Sequence, residues 1–250
     1  MWQIYTLTCL IIAVNGCDIP PRMWCDSLET AKQCQVVEQC AKSVWKVNEV
    51  SPEPVKLTLY MESLCPDCKN FIKEQLFPVW AQLSNIIDLE LVPYGNAMER
   101  KKGDMWEFDC QHGKEECIGN LIETCAIHIS NNVTRWFPFI HCIEIAEDLP
   151  KASAIRCAQM YKIDYSAVQK CMASDKGNLL EHQMALKTNA LSPPHKYVPW
   201  VTLNGVHTES MEKEAESNLL KLVCDTYKGP TPKACSQLED LESLSRCYRD

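Results

Sequence analysis

Several things are scarce or missing in this 250-residue sequence, and each shortage closes off a class of protein. No stretch approaches the ~20 consecutive apolar residues that a membrane helix requires, so no transmembrane segment is expected. No basic cluster exceeds Arg100-Lys101-Lys102, which reads as a solvated turn, and the formal net charge is −8. A nucleic-acid partner is therefore not expected, because polyanion binding generally needs a basic face that releases counterions. There is one Cys-x-x-Cys and no second close pair, so a zinc ribbon is disfavoured and no metal is assigned. No internal repeat is found. Glycine is sparse, at 8 residues, whereas hydrophobic residues make up 46% of the chain. Such a chain can bury a sizeable core, and disorder is not expected. What is abundant is cysteine, with 16 residues, far more than a reducing cytosol usually tolerates without metal.

The N-terminus supplies a route to an oxidising compartment. The mostly apolar run Leu7 to Val14, followed by Asn15-Gly16, reads as the core and cleavage region of a signal peptide over residues 1–16. In the secretory pathway, Asn132-Val133-Thr134 becomes a glycosylation acceptor at Asn132, expected on an exposed loop. A compact segment, 17–48, then carries Cys17, Cys25, Cys34 and Cys40. Residues 49–54 contain Ser51-Pro52-Glu53-Pro54 and read as a linker, since closely spaced prolines disfavour helix and interrupt a ladder.

A new domain is expected over 55–227, followed by a tail, 228–250, with Cys235 and Cys247. Val55 to Tyr60 alternates like a strand, Lys69 to Leu76 is helical, and Ile86 to Val92 is a second alternating strand. A βαβ unit with a parallel pair is the economical reading. The stretch from Met98 to Lys196 reads as a disulfide-tied helical insertion. Tyr197 to Leu203 is expected to be a strand, Asn204-Gly205 a hairpin turn and Val206-His207 the start of a return strand. Glu212 to Tyr227 closes the domain as an amphipathic helix with Leu219, Leu220, Leu222 and Val223 on its apolar side. The expected class is therefore α/β.

Cys65-Pro66-Asp67-Cys68 falls between the first strand and the first helix. Such a pair can be a zinc half-site, an inert staple or a redox dithiol. Strand-loop-helix placement favours the last, because it leaves Cys65 near a helix N-terminus whose free N–H groups and dipole stabilise a thiolate. Pro66 suits the first helical turn, having no N–H to lose. Asp67, if ionised, is expected to oppose thiolate formation at Cys65, so its removal should lower that thiol's pKa. Val198-Pro199 lies where thioredoxin-like folds carry a cis-proline beside the dithiol, and a cis bond contacting substrate is expected there.

Two resemblances add to this reading. Trp24-Cys25 to Cys34, with Cys40 and Trp45, resembles the saposin A-type module, which implies two disulfides and a lipid-associated or sorting contact. The run Cys110-Gln111-His112-Gly113, Glu116-Cys117, Asn120 and Cys125 resembles the signature of gamma-interferon-inducible lysosomal thiol reductases. With Cys65-Pro66-Asp67-Cys68 upstream and Val198-Pro199-Trp200 downstream, the likeness spans roughly Val55 to Tyr227. It implies a thioredoxin-like fold and reduction of protein disulfides in acidic endosomes and lysosomes, serving antigen processing in vertebrates. Cys65 would be the nucleophile and Cys68 the resolving thiol, with no bound cofactor but an external thiol for turnover. A secreted location fits the same residues. Competing readings are a non-catalytic binding protein with a structural Cys65-Cys68 bridge, and an oxidase or isomerase. The cysteines of the signature are expected to staple the insertion, and His112 is read as structural. With Cys9 in the signal peptide, an odd number of cysteines remains, so one sulfur should lack an intrachain partner.

Overall fold

A computed structural model of the chain describes residues 19–20, 23–43 and 52–238. The expected signal peptide, Cys17, the first half of the linker and Cys247 lie outside these residues, as does the question of which sulfur is left over. The chain divides into two compact units, with the break after Pro52.

The first unit contains two short helices, α1 (Leu28–Gln33) and α2 (Val37–Ser43). Ser27 caps α1 by accepting a hydrogen bond from the Thr30 N–H at 3.0 Å. A Cys25–Cys40 disulfide ties the segment, and Cys34 is disulfide-bonded as well. Ala31 and Cys40 are fully buried, so the unit's small interior is partly made of its own staple.

In the second unit a three-stranded sheet has the order β2-β1-β5. Strand β1 (Val55–Met61) runs parallel to β2 (Ile87–Pro93) and antiparallel to β5 (Trp200–Leu203). Its Leu57, Leu59 and Met61 are completely buried, as a central strand covered by helices requires. The β1–β2 crossover is one long helical run: α3 (Pro66–Phe71), a π-helical turn (Ile72–Leu76) and α4 (Phe77–Leu83). Pro78 explains the interruption, because it has no N–H to continue the helical ladder, and the wider turn accommodates the missing bond.

The insertion begins differently from expectation. Arg100-Lys101-Lys102 is part of a strand, not a turn: β3 (Met98–Lys102) pairs with β4 (Met105–Asp109) in an exposed hairpin. The turn falls on Gly103-Asp104, where Gly103 takes φ +64°. The strand has little apolar alternation because most of it faces solvent, which is why its pattern was silent. Five helices follow, namely α5 (Lys114–Ser130), α6 (Val133–Glu144), α7 (Pro150–Tyr161), α8 (Tyr165–Met172) and α9 (Asp175–Asn189). Asn178 of α9 tethers the hairpin, accepting from the Trp106 N–H at 2.8 Å and donating to its carbonyl at 2.7 Å. Disulfides Cys125–Cys171 and Cys142–Cys157 bind α5 to α8 and α6 to α7.

The return strand expected at Val206-His207 does not form. Leu203 and Val206 make a single bridge across Asn204-Gly205. The chain then turns away, with Thr208 capping α10 (Glu209–Thr226) through the Met211 N–H. His207 stacks on Trp200 at 3.5 Å between ring centroids instead of extending a ladder. Helix α10 starts earlier than its apolar stripe suggested and is kinked at Asn218, while Leu219, Leu222 and Val223 are buried as expected. Cys224 of this helix bonds Cys235, so the first part of the expected tail is fastened to the domain. A βαβ unit joined to an antiparallel strand entered through a cis-proline, with helices covering the sheet, constitutes a thioredoxin-like fold carrying a helical insertion.

Candidate active site

Strand β1 ends at Met61 and the chain crosses Glu62-Ser63-Leu64 to reach Cys65, the N-cap of α3. Pro66 takes the first helical position, where a missing N–H costs nothing. The Cys68 N–H donates to Cys65 Sγ at 3.4 Å. Both thiols are unbridged and buried, Cys68 completely and Cys65 with 6% of its surface exposed. The Val198–Pro199 peptide is cis as expected, and the Val198 carbonyl lies 3.9 Å from Cys65 Sγ.

The two sulfurs are electrostatically opposite. Cys65 is pulled down to about 7, first by the hydrogen bond from the Cys68 thiol, then by the backbone N–H groups of Cys68 and Asp67. Burial and the Glu62 carboxylate work against this. Burial pushes Cys68 strongly upward, with its hydrogen bond to Cys65 and the charges of Cys65 and Glu144 adding to the effect. Asp67 reaches Cys65 through its backbone N–H, which stabilises the thiolate, while its side chain is exposed. The opposing acid is Glu62, which burial holds above its ordinary range.

The signature residues converge on the loop before the dithiol. Asn120 Oδ1 accepts from the Ser63 N–H at 2.7 Å, fixing the turn in which Leu64 adopts φ +69°. Gly119 has no alternative at its position, since a Cβ there would sit 2.2 Å from Ser63 Oγ. His112 Nδ1 lies 2.7 Å from Glu116 Oε2 and 3.5 Å from Glu62 Oε1, and its backbone N–H also donates to Glu116 Oε2. Gln111 Oε1 accepts from Asn96 Nδ2, while the Asn96 N–H donates to Glu62 Oε2 at 2.7 Å. Gly113 starts α5, and a Cys110–Cys117 disulfide closes the Gln-His-Gly turn. Cys125 is bonded to Cys171, so all three cysteines of the signature are staples.

Glu62, His112 and Glu116 offer ligand atoms within 4.8 Å of one another, the donor set a divalent cation would need. In the arrangement described, His112 pairs with Glu116 Oε2, while the buried Glu116 Oε1 has no hydrogen-bond partner.

Asn132 stands outside this cluster. It lies exposed in the short connection between α5 and α6, where it caps α6, and its Oδ1 accepts from the Thr134 N–H and hydroxyl at 3.0 and 2.7 Å.

Sequence reasoning missed Glu62, Ser63, Glu123 and Glu144. Glu123 and Glu144 lie on the buried sides of α5 and α6, and Ser63 Oγ donates to Glu144 Oε1 at 3.1 Å. A signal existed: Glu123 interrupts a run of otherwise apolar and small residues, Ile122 to Ala126, and an acid on an apolar face is informative.

An asymmetric dithiol at a helix N-terminus beside a cis-proline, in a thioredoxin-like fold, defines an enzyme of the thiol-disulfide oxidoreductase class, with Cys65 and Cys68 as its dithiol. Residues 56–161 match the model of the gamma interferon inducible lysosomal thiol reductase family, and residues 14–46 match the saposin A-type domain. The chain is 47% identical to a gamma-interferon-inducible lysosomal thiol reductase of Carassius auratus, over 92% of its length and 88% of the relative's. It is 39% identical to the mouse protein of the same name, over 78% and 77% of the two lengths. A solved structure described as a putative protein disulfide isomerase from Nitrosomonas europaea aligns at 14% identity and TM-score 0.45, over 77% of this chain and 99% of that one. The chain belongs to the gamma-interferon-inducible lysosomal thiol reductase family.

Proposed function

We propose that the enzyme runs in the reducing direction on protein disulfides in acidic endosomes and lysosomes, with Cys65 as nucleophile and Cys68 as resolving thiol. The observation that carries this reading is the inequality of the two sulfurs. Cys65, with its pKa lowered to about 7, holds roughly thirtyfold more thiolate at lysosomal pH than an ordinary thiol near 8.5. The Cys65 thiolate attacks a substrate disulfide, one substrate sulfur leaves as a thiol, and a mixed disulfide remains. Cys68 then attacks Cys65 Sγ and releases the second substrate thiol. An external thiol restores the dithiol.

A groove of about 450 Å³ opens beside Pro199, lined by Asp67, Asn70, Phe71, Glu74, Gln75 and Glu216, and it provides room for an unfolded segment around the target disulfide. The backbone beside Val198-Pro199 would hold that segment in extended form. The saposin A-type unit would make a lipid or sorting contact, and Asn132 would carry a glycan in the secretory pathway.

The deciding experiment is reduction of a denatured, disulfide-bonded protein between pH 4 and 8 with a small thiol as reductant. Wild type should turn over, Cys65→Ser should not, and Cys68→Ser should accumulate a mixed disulfide with substrate. Undiminished turnover by Cys65→Ser would overturn the assignment.

A further inference from the structure

The resolving step has an unmet requirement. Cys68 is fully buried, and burial disfavours its thiolate, yet it must lose a proton before it can attack Cys65 Sγ. Some group within the protein has to receive that proton.

The nearby acids are not equivalent. Glu62 is committed elsewhere: Oε2 accepts from the Asn96 N–H, and Oε1 faces His112. Glu144 is joined to the dithiol loop by the hydrogen bond from Ser63 Oγ, and its charge acts on Cys68. It has a buried neighbour in Glu123. Counted as carboxylates, both are acceptors: neither oxygen of Glu123 and not Oε2 of Glu144 has a donor. A single proton between them resolves this, with Glu123 donating to Glu144. Burial raises both acids, Glu123 further because it also feels Glu144 and Glu181, while Glu144 is held lower by Glu123, Lys69 and Ser63. Glu123 is raised further than Glu144, so the pair's proton sits first on Glu123 and Glu144 is the member that ionises first.

The remaining charges around the pair are accounted for. Lys69 of α3 donates to the Ala146 carbonyl at 3.3 Å, just beyond the end of α6. Glu181 of α9 is buried, and Glu116 of α5 is engaged by His112. Lys151 and Arg156 of α7 and the Lys73–Glu74 pair of the π turn are exposed, and His141 on α6 stacks on Phe77.

We propose that Glu144 is the acceptor of the Cys68 proton during resolution, with Glu123 as the protonated partner that keeps it in place. The proposal rests on the assignment of Cys65 as nucleophile and Cys68 as resolving thiol. In the mixed disulfide, the proton of Cys68 Sγ passes to Glu144. The sulfur lone pair forms the Cys68–Cys65 bond, and the bond from Cys65 Sγ to the substrate sulfur breaks with its electron pair on the substrate. That thiolate takes a proton from solvent, and Glu144 returns its own to solvent as the oxidised enzyme is recycled. The substrate sulfur is reduced and the dithiol oxidised, and no other reactant is needed.

The test is single-turnover reduction by the full chain, acid-quenched and resolved by non-reducing electrophoresis, from pH 4.5 to 7.5. In Glu144→Gln, mixed disulfide should form at the wild-type rate and decay roughly a hundredfold more slowly, with a decay rate that climbs with pH as hydroxide substitutes for the lost base. Glu147→Gln removes an exposed acid just beyond the end of α6 and leaves the buried pair intact, so its decay should stay within about threefold of wild type. Wild-type decay and pH profile in a folded Glu144→Gln would overturn the proposal, as would equal slowing in both variants. If Glu144→Gln does not fold, Glu144→Asp, which withdraws the carboxylate by one methylene, should slow decay without slowing capture, and unchanged decay would again refute it. Cys68→Ser is the control: if it fails to trap mixed disulfide, the underlying thiol assignment is what falls, and the proposal with it.

Discussion

In the loop from Glu62 to Cys68, two cysteines remain unbridged, one of them poised as a thiolate. In the insertion that packs beside it, Cys110, Cys117, Cys125, Cys142, Cys157 and Cys171 are consumed in staples, Cys125 and Cys142 with bonding partners in other helices. The two regions use one element for opposite ends, and the difference follows from backbone placement. Cys65 meets free N–H groups at a helix start, whereas Cys125 and Cys157 are fully buried within helices, where a sulfur finds only another sulfur. The regions are also mutually dependent. Asn120 and Gly119 of the stapled α5 shape the turn at Ser63, so the rigid region holds the reactive one in position.

The strongest test of this division removes a staple and asks whether chemistry or stability suffers. Cys125–Cys171 closes a loop spanning 46 residues, for which the chain-entropy relation gives about 4 kcal/mol. The double variant Cys125→Ala/Cys171→Ala should therefore lose about that much in chemical denaturation, while the part that remains folded retains a Cys65 alkylation rate within about threefold of wild type. A large fall in Cys65 reactivity with little loss of stability would show that this bridge belongs to the active site.

A second contrast concerns charge. The buried side of the insertion carries Glu123, Glu144 and Glu181, and α10 adds Glu212. Burial raises Glu181 to about 8 and Glu212 to about 7. A carboxyl whose folded pKa lies above its unfolded value is stabilising when protonated. Its contribution is complete below the ordinary carboxylate range near 4.5 and is lost as pH rises through the folded value. The fold should accordingly be most stable near pH 4.5 to 5 and weaken progressively towards pH 8, with a Tm lower by on the order of 5 °C at the alkaline end. Thermal unfolding across that range checks the sign, and Glu181→Gln should flatten the slope. A Tm that rises with pH would contradict the protonated state assigned to Glu181 and Glu212.

Much of the reactive region was legible in the sequence, because it is local. A strand, a Cys-x-x-Cys and a helix in succession place Cys65 at a helix N-terminus without any knowledge of the rest, and Val198-Pro199 could be added from its position before a strand. What could not be read is long-range. That Ser63 meets Asn120 and Glu144 depends on how α5 and α6 return over the loop, 57 and 81 residues away in sequence. The hairpin β3–β4 was obscured for another reason: a solvated two-stranded ribbon held by Arg100 and Lys102 against Glu107 has no apolar period to detect. The absent return strand shows local signals overruled, since Asn204-Gly205 makes its turn but Thr208 starts a helix before a ladder can grow.

The smallest effect separates the two acids near Cys65. Sequence proximity points to Asp67, two residues away; the folded loop points to Glu62, three residues before it and buried. Asp67 lies at the solvent-facing start of α3, where its charge is screened and its N–H does the stabilising. Glu62 acts through the protein interior, where screening is weak. Glu62→Gln should thus lower the Cys65 pKa by about half a unit to one unit, seen as a left-shifted pH profile of iodoacetamide alkylation. Asp67→Asn should move that profile by less than about 0.3 units, within the ordinary effect of a surface charge. Because alkylation rate follows thiolate fraction, the first variant should react up to several-fold faster than wild type above the range in which Glu62 titrates and below the Cys65 pKa of about 7, and the second almost equally. If Asp67→Asn shifts the profile more than Glu62→Gln, then the charge opposing the thiolate comes from the helix surface, and the buried loop sets only the geometry of the site.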